Sequence, residues 1–411
     1  MHQTEPPTTV SPESHAASPH KLSRNVITLG WVSFFTDVAS EMLYPIMPLF
    51  LTGTLGASPA ILGLIDGVAE GGSSLLRWIT GAISDRFRRR KPFVAIGYTL
   101  SAISKPIMGL AAITGTGWPM FFAGRASDRV GKSIRTSARD ALIADSTAPE
   151  IRGKAFGLHR AMDTAGAVLG PLLALLVLWI WPQLPLYWLF FIALGPGVFS
   201  SLLAMFVVRD IPHPPGSGKL PPLFQSYPAA FWWLIFANAL FSLGNSSDAF
   251  LILRSKEVGL SFTSVVLAFA VYNVVYALGS YPLGKWSDRI GRKPIICAGW
   301  LIYGSVYLGF AWNTSPAIVW PLMATYGLYQ ALTDGVTKAM MSDIVSKDRR
   351  AGAIGLFHTV SGIGQFGASI FAGAIWDWRI EGGMAPFIFG AACAIAAAVV
   401  IGMIRTRTTE N

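Results

Sequence analysis

Residues Thr164–Val208, TAGAVLGPLLALLVLWIWPQLPLYWLFFIALGPGVFSSLLAMFVV, contain no Asp, Glu, Lys or Arg over 45 positions. A helix needs about 20 mostly apolar residues to cross the roughly 30 Å hydrocarbon layer of a bilayer, so this stretch has room for two crossings. Lipid offers an unpaired peptide group no partner, and a helix satisfies its backbone internally. Further charge-free runs cover Val258–Gly284, Ile295–Thr333 and Met384–Ile404, each bounded by charged or Gly/Pro-rich turns. Extending outward from these runs predicts twelve helices, at 26–50, 58–84, 92–113, 117–142, 153–180, 184–208, 229–254, 261–286, 294–312, 316–343, 351–376 and 384–404. The fold class is an all-α membrane protein.

Composition agrees: over 411 residues, 52% are hydrophobic, 13% are charged and the mean hydropathy is +0.50, outside the usual range of soluble domains. The net charge of +10 would suit a nucleic-acid partner if it formed one patch, but it is distributed over alternate loops. Arg86, Arg88, Arg89, Arg90 and Lys91 follow the second apolar segment, and Lys285, Arg289, Arg292 and Lys293 follow the eighth. Arg152, Lys154, Arg209, Lys219, Lys347, Arg349, Arg350, Arg405 and Arg407 lie in the other even-numbered connections and the tail. The odd-numbered connections hold only Arg254, Lys256 and Arg379. The positive-inside bias therefore puts both termini and every even connection in the cytoplasm, as in a multi-pass protein of the cell's inner (plasma) membrane. The expected partners are the lipid bilayer, a small-molecule substrate and protons. No nucleic acid, metal or cofactor is expected, and the chain should work as a monomer. Cys297 and Cys393 lie in apolar segments without metal-ligand spacing and read as packing residues.

Residues 209–228 form the longest internal polar connection, with seven Pro and Gly positions between Pro212 and Pro222, and divide six helices from six. The expected organisation is a disordered cytoplasmic tail at 1–24, a first half at 25–208, a linker at 209–228, a second half at 229–404 and a tail at 405–411. The halves repeat one another. Gly81-Ala82-Ile83-Ser84-Asp85-Arg86 recurs as Gly284-Lys285-Trp286-Ser287-Asp288-Arg289, a shift of 203. Ala144-Asp145 through Gly157-Leu158 recurs as Ser342-Asp343 through Gly355-Leu356, a shift of 198. Two such repeats side by side enclose a cavity at their interface.

The second copy, Gly284 through Asp288, Arg289, Gly291, Arg292 and Lys293, resembles the loop signature G-x-x-x-D-R-x-G-R-[RK] of the major facilitator superfamily, between helices eight and nine as that family requires. The first copy keeps Gly81, Asp85, Arg86 and Arg89-Arg90 but has Arg88 in place of the second Gly, so its turn is expected to differ. Gly157, Gly166, Gly170 and Pro171 resemble the fifth-helix antiporter motif of that family's drug- and metabolite-efflux branch, with Ala174-Leu175 in place of its final glycines. The same glycines also suit plain helix packing. The resemblance covers the chain after residue 24 and implies two six-helix repeats working by alternating access.

Charged residues inside helices are expensive unless they face a wet cavity or a counter-charge. Nine basic residues fall inside the expected helices, Arg77, Lys105, Arg125, Arg129, Lys132, Arg135, Arg139, Arg160 and Lys338, and Asp37, Glu41, Asp66, Glu70, Asp128, Asp140, Asp163, Asp248 and Asp334 are available as partners. Asp66, Glu70 and Arg77 share one helix face, and Arg125 through Arg139 step by three and four along another. Candidate substrate-cavity residues are Asp66, Glu70, Arg77, Arg125, Arg129, Arg160 and Asp163 in the first half. The second half offers Asp248, Tyr272, Asn273, Asp334, Lys338 and Gln365. Arg135 and Arg139 are expected to reach cytoplasmic water or headgroups. Gly81, Asp85, Arg86, Asp145, Gly284, Asp288, Arg289, Gly291, Arg292 and Asp343 are candidate cytoplasmic gate residues. An ion-pair scaffold is the alternative for Arg77, Asp128, Arg139, Asp140 and Asp163.

Proton coupling is assigned to Asp37 with Glu41. On a helix starting at 26, Asp37 lies about 17 Å along, near the bilayer midplane. Two buried carboxylates one turn apart resist being ionised together, which is what a proton carrier requires. The resulting expectation is a proton-coupled exporter of a small organic solute. Two alternatives stay open: a proton symporter importing a sugar, organic acid or metal chelate, and a non-transporting membrane sensor. The sequence has no Walker loop, nucleophile elbow or metal-ligand pattern, so an enzyme is not expected.

Overall fold

A computed structural model describes residues 22–86, 89–148, 151–211, 226–346 and 349–403. Most of the expected tails and of the 209–228 linker lie outside these residues, as do the side chains of Arg77, Gly81, Asp85 and Arg86. Twelve spans are present among the described residues. In the first half they are α1 (Arg24–Glu41), α2 (Pro59–Arg86), α3 (Lys91–Ile113), α4 (Trp118–Asp145), α5 (Arg152–Ile180) and α6 (Tyr187–Val207). In the second they are α7 (Ala229–Gly244), α8 (Phe262–Ile290), α9 (Arg292–Trp312), α10 (Pro316–Ile344), α11 (Arg350–Ala374) and α12 (Ala385–Met403). Ser23 and Ser261 cap α1 and α8 by accepting from the amides of Val26 and Ser264. Prolines open α3, α4 and α10, where their missing N–H costs nothing. Gly291, with φ +94°, turns α8 into α9, a conformation that accounts for the second Gly of the loop signature.

Two predicted helices are broken. The first, expected from 26 to 50, stops at Glu41, passes through turns at 42–46 and resumes as Met47–Leu49 and a wide turn, Phe50–Thr54. Pro45 has no N–H for the Glu41 carbonyl, and its ring occupies the space that bond would use. The seventh, expected from 229 to 254, stops at Gly244 and resumes as Ala249–Glu257. There Ser247 Oγ accepts from the Ala249 amide, and Ser369 Oγ accepts from the Ser247 amide, so side chains replace the lost helical bonds. Glu41 and Gly244 are related by the repeat shift of 203, so both halves unwind at the same place. A two-residue turn with positive φ at Glu381 and Gly382 joins β1 (Arg379–Ile380) to β2 (Gly383–Met384), a small hairpin before α12 that the sequence reading did not contain.

Six helices, α3, α5, α6, α8, α9 and α12, are long and apolar enough to cross a bilayer on composition alone. The other six carry charge or are interrupted, and α1, α2, α4, α10 and α11, with the break after α7, supply side chains that line the central cavity. No residue of α3, α6, α9 or α12 lines its two most charged compartments. The halves meet along two principal seams, α2 against α11 and α5 against α8. At the end away from the basic loops, Ala249–Glu257 packs on Met47–Leu49, and Ile46, Phe50, Phe250, Leu251, Val265 and Phe269 join one apolar core spanning both halves. At the basic end, Val26, Leu29, Tyr98, Ala138 and Leu142 form a separate core confined to the first half.

Candidate functional site

The centre of the protein holds two adjoining charged compartments of about 350 and 400 Å³, which share Glu41, Tyr44, Lys132, Asp248 and Gln330. The first-half wall carries most of the ionic groups, and the second-half wall adds a cluster of tyrosines to Asp248, Asp334 and Lys338. Tyr272, Tyr326 and Tyr329 pack ring on ring at 5.2–5.3 Å, and Tyr44 stacks on Phe269 at 5.3 Å across the interface.

Near the sealed end, buried Arg125 is held by Asp66 at 3.2 Å and Glu70 at 3.3 Å, and Arg129 by Glu70 at 2.9 Å and Asp128 at 3.0 Å. Lys105 Nζ lies 3.7 Å from Asp128 and donates to the Ser101 carbonyl. Buried charges of this kind persist only when paired, and removing one partner typically costs about 3–5 kcal/mol. Asp66 also crosses the interface: Ser247 Oγ, on the break after α7, donates to its Oδ2 at 2.8 Å. Asp248 beside it accepts from Tyr326 Oη at 2.6 Å.

Toward the basic end, Asp37 on α1 meets Asp163 on α5, and their carboxyl groups share a hydrogen bond. Two carboxylates placed this close repel when both are ionised. The close approach is possible because a Cβ at Gly166 would sit 2.5 Å from the Phe34 carbonyl and one at Gly170 2.7 Å from the Met42 amide, so only glycine lets α5 lie this near α1. Ser33 Oγ donates to Asp163 at 2.7 Å, and Arg139 reaches Ser33 and Asp140. Arg160 joins the pair to the other half. Its Nη1 contacts Asp163 at 3.3 Å, while its Nη2 donates to Tyr276 Oη at 2.7 Å and to Asp334 at 3.3 Å. Tyr276 and Lys338 both donate to Asp334, at 2.8 and 2.7 Å. The Arg160 and Lys338 side chains are 57% and 48% exposed, so this clasp is not buried as the Arg125 cluster is.

The expected cavity residues thus separate. Glu70, Arg129, Arg160, Asp163, Asp248, Tyr272, Asn273, Asp334, Lys338 and Gln365 line the compartments, whereas Asp66 and Arg125 lie behind them in the ion-pair cluster. Asp37 hydrogen-bonds Asp163; Glu41, one turn along, feels Lys132, Arg129 and Arg125. Arg135 lies inside the protein rather than at the headgroups: it is buried at the edge of the second compartment, with its guanidinium 4.4 Å from the Tyr98 ring centroid. Among the gate residues, Arg292 pairs with Asp288 and, at 3.3 Å, with Asp343; Asp145 pairs with Arg90 at 3.1 Å. These contacts stay within one half. Sequence reasoning missed Tyr44, Ser247 and Asp210. Tyr44 and Ser247 belong to the helix breaks, and Asp210 accepts from the amides of Arg90 and Lys91 at the start of α3.

Comparison with known proteins bears on this architecture. The Major Facilitator Superfamily profile matches residues 29–253 and again 233–411, one match per half. The chain is 37% identical over 388 residues to an uncharacterized MFS-type transporter of Methanocaldococcus jannaschii, covering 93% of this chain and 95% of that one. It is 28% identical over 376 residues to an uncharacterized protein of Mycobacterium tuberculosis, covering 87% and 88%. The crystal structure of the nucleoside transporter NupG superposes with a TM-score of 0.75 at 13% identity, covering 93% of this chain and 100% of that one.

Proposed function

Because the chain belongs to the Major Facilitator Superfamily and is a multi-pass membrane transporter, we propose that its cavity exports a small organic solute in exchange for protons, with Asp37 and Asp163 as the proton-holding pair. The observation that carries this reading is the shared Asp163: one carboxyl belongs both to the hydrogen-bonded pair and to Arg160, which ties the two halves together. An ionised Asp163 holds Arg160 with Nη2 aimed at Asp334 and Tyr276, a contact between the halves that resists their further separation at the basic end. A second proton, entering from outside, neutralises Asp163, frees Arg160 and lets that end open, where the proton leaves. The groups facing the pair are Glu41 from α1, Lys105 from α3, Arg135 and Arg139 from α4, and His159 and Arg160 from α5. Glu41 serves as the next acceptor toward the aromatic compartment. The glycine pattern on α5, which brings Asp163 to Asp37, favours export over import.

In this reading the basic end is cytoplasmic, as are both termini. Cysteines placed at Lys154 and Arg379, after removal of Cys297 and Cys393, should then react with impermeant reagents from opposite sides; labelling of Lys154→Cys from outside intact cells would reverse the orientation. The coupling test uses purified protein in liposomes under an imposed proton gradient, screened against solute classes. Asp37→Asn and Asp163→Asn should each abolish proton-driven accumulation yet retain counterflow. Stable variants that still accumulate substrate with unchanged pH dependence would remove the pair from the mechanism, and a loss of folded yield alone would make it a packing contact.

A further inference from the structure

A third cavity, of about 880 Å³, lies between α5 and α8 and opens on the apolar outer surface of the protein. Ala161, Ala165 and Leu169 form one wall and Ala277, Leu278 and Tyr281 the other; Leu278 and Tyr281 are 73% and 80% exposed at its rim. Its inner end is not closed by packing. Arg160, Thr164 and Tyr276 line both this cleft and the charged compartment behind it, so lipid-facing space and polar cavity meet at the Arg160 clasp. At the other seam α2 and α11 approach closely instead, a Cβ at Gly71 lying 2.9 Å from the Gly362 carbonyl.

We infer that this cleft is a lateral binding site for an amphiphile with one alkyl chain and an oxyanion head, the chain lying between α5 and α8 and the head on Arg160. The inference rests on the central cavity being a transport route but not on its coupling to protons. Its setting identifies the chain. The cleft faces hydrocarbon, and a space bounded by one face of each of two helices takes one chain lengthwise. From Arg160 to Leu172 at about 1.5 Å per residue, the α5 wall runs about 18 Å, close to half the hydrocarbon thickness. Chemistry identifies the head. A guanidinium has five N–H donors in a fork matched to phosphate and carboxylate, and the contacts of Arg160 to Asp163, Tyr276 and Asp334 come from its two terminal nitrogens. Lys338, half exposed across the clasp and paired there with Asp334, adds a second cation. Leaving bulk lipid for an equally apolar cleft gains a chain almost no free energy, so selectivity must come from the head.

The test uses the full-length protein in nanodiscs of neutral lipid with no pH gradient, so failure of proton coupling cannot affect it. The probe is lysophosphatidic acid with a diazirine in its C16 chain, and crosslinked peptides are mapped by mass spectrometry. Labelling should concentrate at least tenfold on residues 157–172 and 274–281 relative to the outer surface of α6. Unlabelled 1-palmitoyl lysophosphatidic acid or palmitate should suppress it, the stronger of the two identifying phosphate or carboxylate as the preferred head. Hexadecyltrimethylammonium, with the same chain and a cationic head, should not. Ala277→Phe, which fills the cleft, should lower the yield severalfold. Uniform labelling of the lipid-facing surface, or equal competition by the cation, would reduce the cleft to ordinary annular lipid and overturn the assignment. The wild-type map decides this even if the variant misfolds.

Discussion

The two seams between the halves are built in opposite ways. Along α2 and α11, glycines bring backbones into contact: a Cβ at Gly63 would lie 2.2 Å from the Ser369 carbonyl, one at Gly71 2.7 Å from Phe366 Cβ, and one at Gly362 2.5 Å from Ser74 Cβ. Along α5 and α8, a Cβ at Gly157 or at Gly284 would meet nothing within 4 Å, and the contact is the polar clasp of Arg160, Tyr276 and Asp334. Close packing is rigid and cannot open gradually, whereas a clasp of ion pairs and hydrogen bonds exchanges partners at little cost. On this contrast, the exchange proposed above is expected to pivot on α2 and α11 and to open between α5 and α8, beside the carboxyl pair.

Substitutions at the glycines test this contrast. The largest effect is expected from Gly71→Val, whose added methyls have no space beside Phe366 and the Gly362 carbonyl; overpacking of this kind costs on the order of 1–3 kcal/mol and should lower the unfolding temperature in detergent. Gly157→Ala should do the reverse by a smaller margin. Its methyl enters open space in a helix, and replacing a helical glycine contributes roughly 0.5–1 kcal/mol. A tolerated Gly71→Val together with a damaging Gly157→Ala would exchange the roles of the seams.

Much of this architecture was legible in the sequence because the bilayer makes local demands. Charge-free length located the apolar helices, and the repeated Gly-x-x-x-Asp-Arg segments set the two halves in register. The site was legible as a set of residues but not as a set of pairs. The i,i+4 spacing of Asp37 and Glu41 invited a local pairing, while the hydrogen-bond partner, Asp163, lies on another helix brought near by Gly166. Arg135 looked able to reach the headgroups because nothing in its own helix reveals the Tyr98 ring it packs on. The break after Glu41 was readable in principle from Pro45. The one after Gly244 was less so, since Ser247 depends on Ser369, 122 residues away, to replace its lost helical bond.

The central claim is that protonation of the carboxyl pair controls the α5–α8 seam, and it can be tested without knowing the substrate. Spin labels at Gly157→Cys and Gly284→Cys, positions with room for them, in a protein lacking Cys297 and Cys393, report the separation of α5 and α8 by pulsed electron resonance in nanodiscs. On lowering the pH, the wild-type distance distribution should shift toward longer separations as Asp163 is neutralised and Arg160 released. Asp163→Asn should show the long separation at every pH. A distribution that does not move with pH in the wild type, or that moves equally in Asp163→Asn, would contradict the claim.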